Sequence, residues 1–265
     1  MVGRQTLDLS TEVRILVPQP LFPFLVSLHM GEPTQRAKVM RARMLSPTVR
    51  ELVVVPLEAK ISFKPGQWVS LKLPVGERPP LTRAYSMAEP ESSSRELVLV
   101  FDRVPGGLGS GYLSSVKEGD ELILAGPYGN FTVPRPLTID LVLVARFTGI
   151  VPIRCILRGL FEGPVSCQAT LIYGLPTQTE RIYHDELQEM AARHKAFRYL
   201  PTVLDGSGPA GEERRSESEI LASLWQGRKD FLPMVCGTKA FIRPLKTYTS
   251  ELGFVRKEAK FETYD

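Results

Sequence analysis

A small antiparallel β-barrel followed by an α/β domain with a doubly wound parallel sheet is the fold class this sequence predicts. Three observations carry it. Residues 37–133 break into short apolar or alternating runs punctuated by Gly, Pro and Asp, as a small barrel requires. Beyond residue 138 apolar strands alternate with helical segments, which implies βα units and a parallel sheet whose ligand lies beyond the carboxyl ends of the strands. The 265 residues, 43% hydrophobic and 23% charged, suffice for two cores of ordinary globular composition. The predicted division is 1–30 as an extension, 31–136 as the barrel and 137–265 as the α/β domain.

Taken in order, the opening stretch "ILVPQPLFPFLVSLHM" is a short apolar run broken by Pro18, Pro20 and Pro23, with Asp8 and Glu12 where a signal peptide requires positive charge. It reads as a poorly ordered extension or a non-native start, since Met30 stands just before the first regular pattern. The barrel strands follow as "AKVMRARML", "VRELVVVP", "GQWVSLKLP", "LTRAYSMA", "RELVLVFDRV" and "DELILAGPYGNFTVP", interrupted once by the helical "GSGYLSSVKEG". After "PRPLT" come the strands "DLVLVA", "QATLIYG", "FRYLPTVL" and "FLPMVCG". They alternate with the helices "VPIRCILRGLFEG", "YHDELQEMAARHK", "SESEILASLWQG" and "AFIRPLKTYTSELG". The polar "DGSGPAGEERRSES" reads as a loop of the second domain.

Composition excludes several classes. Cys155, Cys167 and Cys236 are too few and too scattered for a disulfide framework, a zinc site or a four-thiolate iron–sulfur cluster, so a reducing, cytoplasmic location is expected. His29, His184 and His194 lack metal spacing, His184 and His194 read as polar-face helix residues, and no metal is expected. No run of apolar residues is long enough to span a membrane. A net charge of +4 is moderate and does not suggest nucleic acid. Arg36, Lys38, Arg41, Arg43 and Arg50 form a basic stretch that reads as a solvated strand face before a docking patch.

Five motifs carry chemistry. "RAYS" places a phosphate-suited Arg83 and an aromatic Tyr85 two positions apart, hence on one strand face, with Ser86 next to them. The plain alternative is a surface Arg beside a core Tyr. "GGLGSGYL" opens a helix with glycine-rich backbone and the Ser110 hydroxyl, an anion cradle that an ordinary turn resembles. "TGIVP" opens a helix after the first parallel strand and "VCGT" closes a later one. The tail "KFETYD" brings Glu262 and Tyr264, or is merely acidic.

In this order the motifs resemble the ferredoxin–NADP reductase superfamily over residues 37 to 265. "RAYS" matches its flavin motif, "GLGSGYL" its Gly-x-x-Ser-x-x-Leu segment, "TGIVP" part of Gly-Gly-Thr-Gly-x-x-Pro and "CGT" its Cys-Gly-Pro. The resemblance implies an FAD-binding barrel joined to an NAD(P)-binding domain. It implies that Arg83, Ala84, Tyr85, Ser86, Gly107, Gly109, Ser110 and Tyr264 hold FAD. Thr148, Gly149, Pro152 and Gly237 would surround the nicotinamide, with Ser86, Cys236 and Glu262 at the reacting centre. Arg181, Arg214 and Arg215 are candidates for a 2′-phosphate.

One departure stands out: Arg146-Phe147 replaces Gly-Gly, where a bulky residue would bring strain of about 1–3 kcal/mol and fill nicotinamide space. The expected activity is an NAD(P)H-dependent flavoprotein reductase that passes electrons through FAD to a separate ferredoxin-like or oxygenase-component acceptor. The alternatives are a flavin reductase or diaphorase acting on small acceptors, and a flavin-binding electron-transfer subunit or interaction module with impaired nucleotide turnover.

Overall fold

The computed structural model describes residues 33–76, 79–206, 208, 215–225, 227–255 and 257–264. The expected 1–30 extension, with Met30 and His29, and Arg214 lie outside the described residues.

The first sheet contains β1 (Gln35–Met44), β2 (Val49–Pro56), β3 (Trp68–Leu73), β4 (Leu81–Ser86), β5 (Leu97–Asp102) and β6 (Glu121–Tyr128), all antiparallel in the order β4-β3-β6-β1-β2-β5. An isolated bridge between Met87 and Leu99 brings its two edges together, so the sheet curls into a barrel. Alternation sets which side chains go inside: Leu52 and Val54 of β2 and Leu97, Leu99 and Phe101 of β5 fill the barrel. Their outward neighbours Val53, Val98 and Val100 are buried too, in a second apolar cluster shared with the α/β part. This explains why "VRELVVVP" and "ELVLVFD" read as almost continuous apolar runs: both faces of these strands are covered. Helix α1 (Leu108–Ser115) lies between β5 and β6.

The second sheet is all parallel, in the order β11-β10-β7-β8-β9, from β7 (Asp140–Arg146), β8 (Ala169–Leu175), β9 (Phe197–Val203), β10 (Phe231–Thr238) and β11 (Lys260–Tyr264). Helices α2 (Ile150–Phe161), α3 (His184–Arg193), α4 (Glu217–Trp225) and α5 (Lys239–Glu251) connect the strands. The unbroken burial of "LVLVA" follows from helices covering both faces, the usual condition of parallel strands. Among the described residues no helix is long and apolar enough to cross a membrane.

Two readings change and a third holds. His184 is not a polar-face residue: it is buried at the start of α3, with Nδ1 3.0 Å from the Tyr199 hydroxyl and Nε2 3.1 Å from Arg181 Nη1. The C-terminal segment is no loose acidic tail, because residues 260–264 pair in register with β10 as an edge strand. The basic stretch is the solvated strand face expected, with Arg36, Lys38, Arg41 and Arg43 exposed; on it Arg36 pairs with Glu58 and Glu121, and Arg41 and Arg43 with the buried Glu51. Arg50 donates to the carbonyls of Leu113 at 3.0 Å, Ser114, and Val116 at 2.7 Å, at the C-terminal end of α1.

Candidate active site

The barrel's contribution begins on edge strand β4. Arg83 and Ala84 are exposed, Tyr85 is half-buried and Ser86 is buried. Tyr85 meets Phe101 edge-on at 6.0 Å between ring centroids. Burial pushes its hydroxyl up to about 12, opposed in part by the Arg83 charge, so the ring offers a neutral aromatic face. The Arg83 guanidinium donates to the neighbouring Thr82 carbonyl at 2.9 Å and has no acidic partner among the described residues. Gly109, buried in the first turn of α1, lets the helix seat against it: a Cβ there would lie 3.5 Å from Arg83 Cγ and 3.2 Å from Leu73 Cδ1. Gly107 is similarly tight, with Ser110 Oγ 2.8 Å from where its Cβ would stand. The Ser110 hydroxyl accepts from Val104 N at 3.1 Å and lies 3.4 Å from the carbonyls of Val104 and Gly107, so here it closes the turn on itself.

The α/β part meets the other end of β4. Tyr264, on the edge strand β11, donates its hydroxyl to Ser86 Oγ at 3.2 Å across 178 residues of sequence, and also hydrogen-bonds Cys236. Cys236 is fully buried, which raises its thiol well above the usual range and keeps it protonated at neutral pH. Glu262 lies beside it in the parallel register, and burial pushes its carboxyl up to about 7. A cavity of about 480 Å³ lined by Phe131, Lys246, Thr249, Lys260 and Glu262 opens along β11, giving this carboxyl a route to water. Gly149 is required by close packing and not by φ: it is helical, but a Cβ on it would stand 2.2 Å from the Cys236 carbonyl oxygen. Thr148 Oγ1 donates to Asp102 Oδ1 at 3.1 Å, tying this turn to the end of β5.

The structure thus brings together Ser86, Tyr264, Cys236, Glu262, Thr148, Gly149 and Gly237 along the seam between the sheets. Arg83, Gly107, Gly109 and Ser110 form a second group at the barrel's rim. Pro152 is buried in the first turn of α2. Arg215 is exposed before α4, and Arg181 is half-buried beside His184.

One constellation was missed by reading the sequence. Arg146 does not enter the space beside Gly149; it reaches to Glu217, fully buried at the head of α4, donating from Nε at 2.8 Å and Nη2 at 2.7 Å. Its guanidinium also lies 4.3 Å from the centre of the Phe241 ring. Phe147 does adopt the left-handed conformation glycine favours, at φ 49°, and packs half-buried against the apolar cluster. Nothing local in "RSESE" signals that Glu217 pairs with a residue 71 positions earlier.

These residues fit the group the motifs imply. An exposed guanidinium beside a glycine-seated helix N-terminus suits a phosphate, and a half-buried aromatic face ending at a buried serine suits a flat ring system.

Two family models match the chain: an oxidoreductase FAD-binding domain over residues 36–133 and an oxidoreductase NAD-binding domain over residues 143–247. The chain is 33% identical over 239 residues to ferredoxin–NADP reductase B of Sorangium cellulosum, covering 86% of this chain and 97% of that protein. It is 32% identical over 207 residues to the phenol 2-monooxygenase reductase component DmpP of a Pseudomonas species, covering 77% of this chain and 54% of that one. To terephthalate 1,2-dioxygenase reductase component 1 of a Comamonas species it is 28% identical, covering 83% and 65%. The chain therefore spans between half and two thirds of these two oxygenase components. A ferredoxin–NADP reductase structure from Neisseria gonorrhoeae with bound FAD and NADP matches with a TM-score of 0.74 at 19% identity, covering 87% of this chain and 98% of that one. That likeness shows the fold alone.

Proposed function

The chain belongs to the ferredoxin–NADP reductase superfamily, and from that premise we propose that it is an FAD-dependent NAD(P)H oxidoreductase serving a separate ferredoxin-like or oxygenase-component acceptor. The observation that carries this reading is the Tyr264–Ser86 hydrogen bond, which joins the end of the parallel sheet to the flavin-type strand of the barrel beside Cys236 and Gly149. Bound FAD supplies the exchange between two-electron and one-electron chemistry.

The chain's own residues bind, orient and hold protons. Arg83 and the amides of the α1 turn at Gly107, Gly109 and Ser110 are proposed to bind the FAD phosphates, with Ala84, Tyr85, Ser86 and Tyr264 against its ring. Thr148, Gly149, Pro152 and Gly237 shape the nicotinamide entrance. Cys236, kept as a neutral thiol by burial, packs there and does not act as a nucleophile. Glu262 holds a proton that is exchangeable near neutral pH. We take residues 31–136 as the FAD-binding unit and 137–265 as the NAD(P)-binding unit, supported by the two sheets. Cytoplasmic location is proposed from three free, buried cysteines. A separate acceptor protein is supported by the relatives named as reductase components of oxygenases.

The test is the absorbance spectrum of the purified protein followed by anaerobic titration with NADH and NADPH. A yellow protein bleached by one of them is the expected result, and Arg83→Ala is expected to purify with little FAD. A colourless protein that takes up no FAD sinks the assignment. A yellow protein that neither nucleotide bleaches favours a flavin-binding module, the reading that Arg146-Phe147 raises.

A further inference from the structure

The Arg146 side chain sits where the chain departs from the glycine pair of the motif that "TGIVP" resembles. It is the last residue of β7, the central strand of the parallel sheet, and so stands at the carboxyl edge where such folds receive ligands. Its position is built. Glu217 is fully buried, and Gly174 makes the room: a Cβ on Gly174 would lie 1.7 Å from Glu217 Oε1. The Gly237 Cβ position, in turn, is covered by Phe241 Cδ1 at 2.6 Å and Arg146 Cβ at 3.6 Å. Two glycines thus leave space for a carboxylate and a ring that grip one guanidinium from an edge and a face. Swinging Arg146 away would strand a buried carboxylate, so the guanidinium stays in place.

The grip leaves donors over. Glu217 takes one N–H each from Nε and Nη2, which leaves Nη1 with two and Nη2 with one outside the pair. The Arg146 side chain remains 35% exposed. Around it, the surroundings favour an anion. Helix α5 starts at the adjacent strand end with no side-chain cap on its first amides, and exposed Lys239 is its first residue. Phe147 meanwhile holds the turn that follows Arg146 in the left-handed conformation, at φ 49°.

We propose that Arg146 is a nucleotide-binding residue that donates to the pyrophosphate of the pyridine dinucleotide, and that Glu217 and Phe241 are positioning residues holding it at the carboxyl end of β7. The inference rests on reading the chain as an NAD(P)H oxidoreductase. In the place where a glycine turn offers flexible backbone amides, this chain uses a guanidinium fixed in advance.

The experiment uses the FAD-loaded protein and ADP as the pyrophosphate probe, with adenosine as the uncharged control, read by calorimetry. Because Arg146→Met alone would orphan Glu217, the main variant is Arg146→Met with Glu217→Gln, its fold checked by flavin absorbance and thermal midpoint. The double variant is expected to bind ADP about tenfold or more weakly, the loss of a charged hydrogen bond, with adenosine binding unchanged. Its ADP affinity should also depend less steeply on salt than that of the parent. In turnover, KM for the nucleotide rises with kcat nearly constant, as for uniform binding. Glu217→Gln alone, which keeps the side-chain volume but loosens the grip, gives an intermediate rise in KM, and a purely structural role would leave ADP binding and KM unmoved. Equal or tighter ADP binding by the double variant overturns the proposal and leaves the oxidoreductase reading intact. A parent protein that holds FAD but binds neither NADH nor NADPH overturns both.

Discussion

A single methyl group added at Gly149 would place carbon 2.2 Å from a main-chain oxygen of β10, and no flexible side chain is there to yield. Gly149→Ala is therefore expected to cost about 1–3 kcal/mol through a backbone shift, measurable by urea denaturation, and to raise KM for nucleotide as the turn moves. Glu262 gives a pH signature. Its carboxyl is raised from 4.5 to about 7, so the folded state binds the extra proton and stability falls as pH rises between those values, by about 1.4 kcal/mol per unit at most. Glu262→Gln should flatten that decline in a series of thermal midpoints. At this scale the site was legible wherever a short motif carried it: Ser86, Tyr85 and Tyr264 were named from their neighbours in sequence. The Arg146–Glu217 pair was not, because its two members are 71 residues apart and its geometry depends on the absence of a side chain at Gly174.

Among the elements, α1 shows how a short helix is made dependable. Eight residues with a weakly apolar face nucleate poorly alone, and its N-terminus lacks a side-chain cap. Arg50 holds the other end by donating to three of its terminal carbonyls from the neighbouring β2. Arg50→Met is expected to cost about 1.5–3 kcal/mol, a fall of several degrees in Tm, and to weaken FAD retention because the α1 turn seats against Arg83. Most strands could be read from alternation and turn residues. The basic run of β1 hid a pairing, since Glu51 and Glu121 come to it from β2 and β6 and Glu58 from the bend after β2. The final strand was hidden for a different reason: five residues carrying a Lys, a Glu and a Thr show no apolar run, and only the register with β10 makes them a strand.

Across the whole molecule, α2 is the shared member. Arg154 on it is almost fully buried, donating to the Ala88 carbonyl at 2.7 Å, pairing with Glu89 and Glu186 at 2.8 Å, and lying 4.2 Å from the Tyr183 ring centre. The Tyr183 hydroxyl continues the path to Glu51 of the barrel, and Glu180 accepts from Ser46 and Thr48. Arg154→Met removes the donor to the Ala88 carbonyl and leaves Glu89 and Glu186 to Arg158 alone, and is expected to cost about 1–3 kcal/mol, read as a lower thermal midpoint by calorimetry. Cys155 of the same helix is counted among the barrel's own core residues, and Gly159 lies against Pro65 and Pro90. A recombination experiment between relatives would therefore misfire if spliced at the short connection near residue 137. The barrel would arrive without the helix that plugs it, and a working graft has to carry residues 150–161 along with the strands they cover.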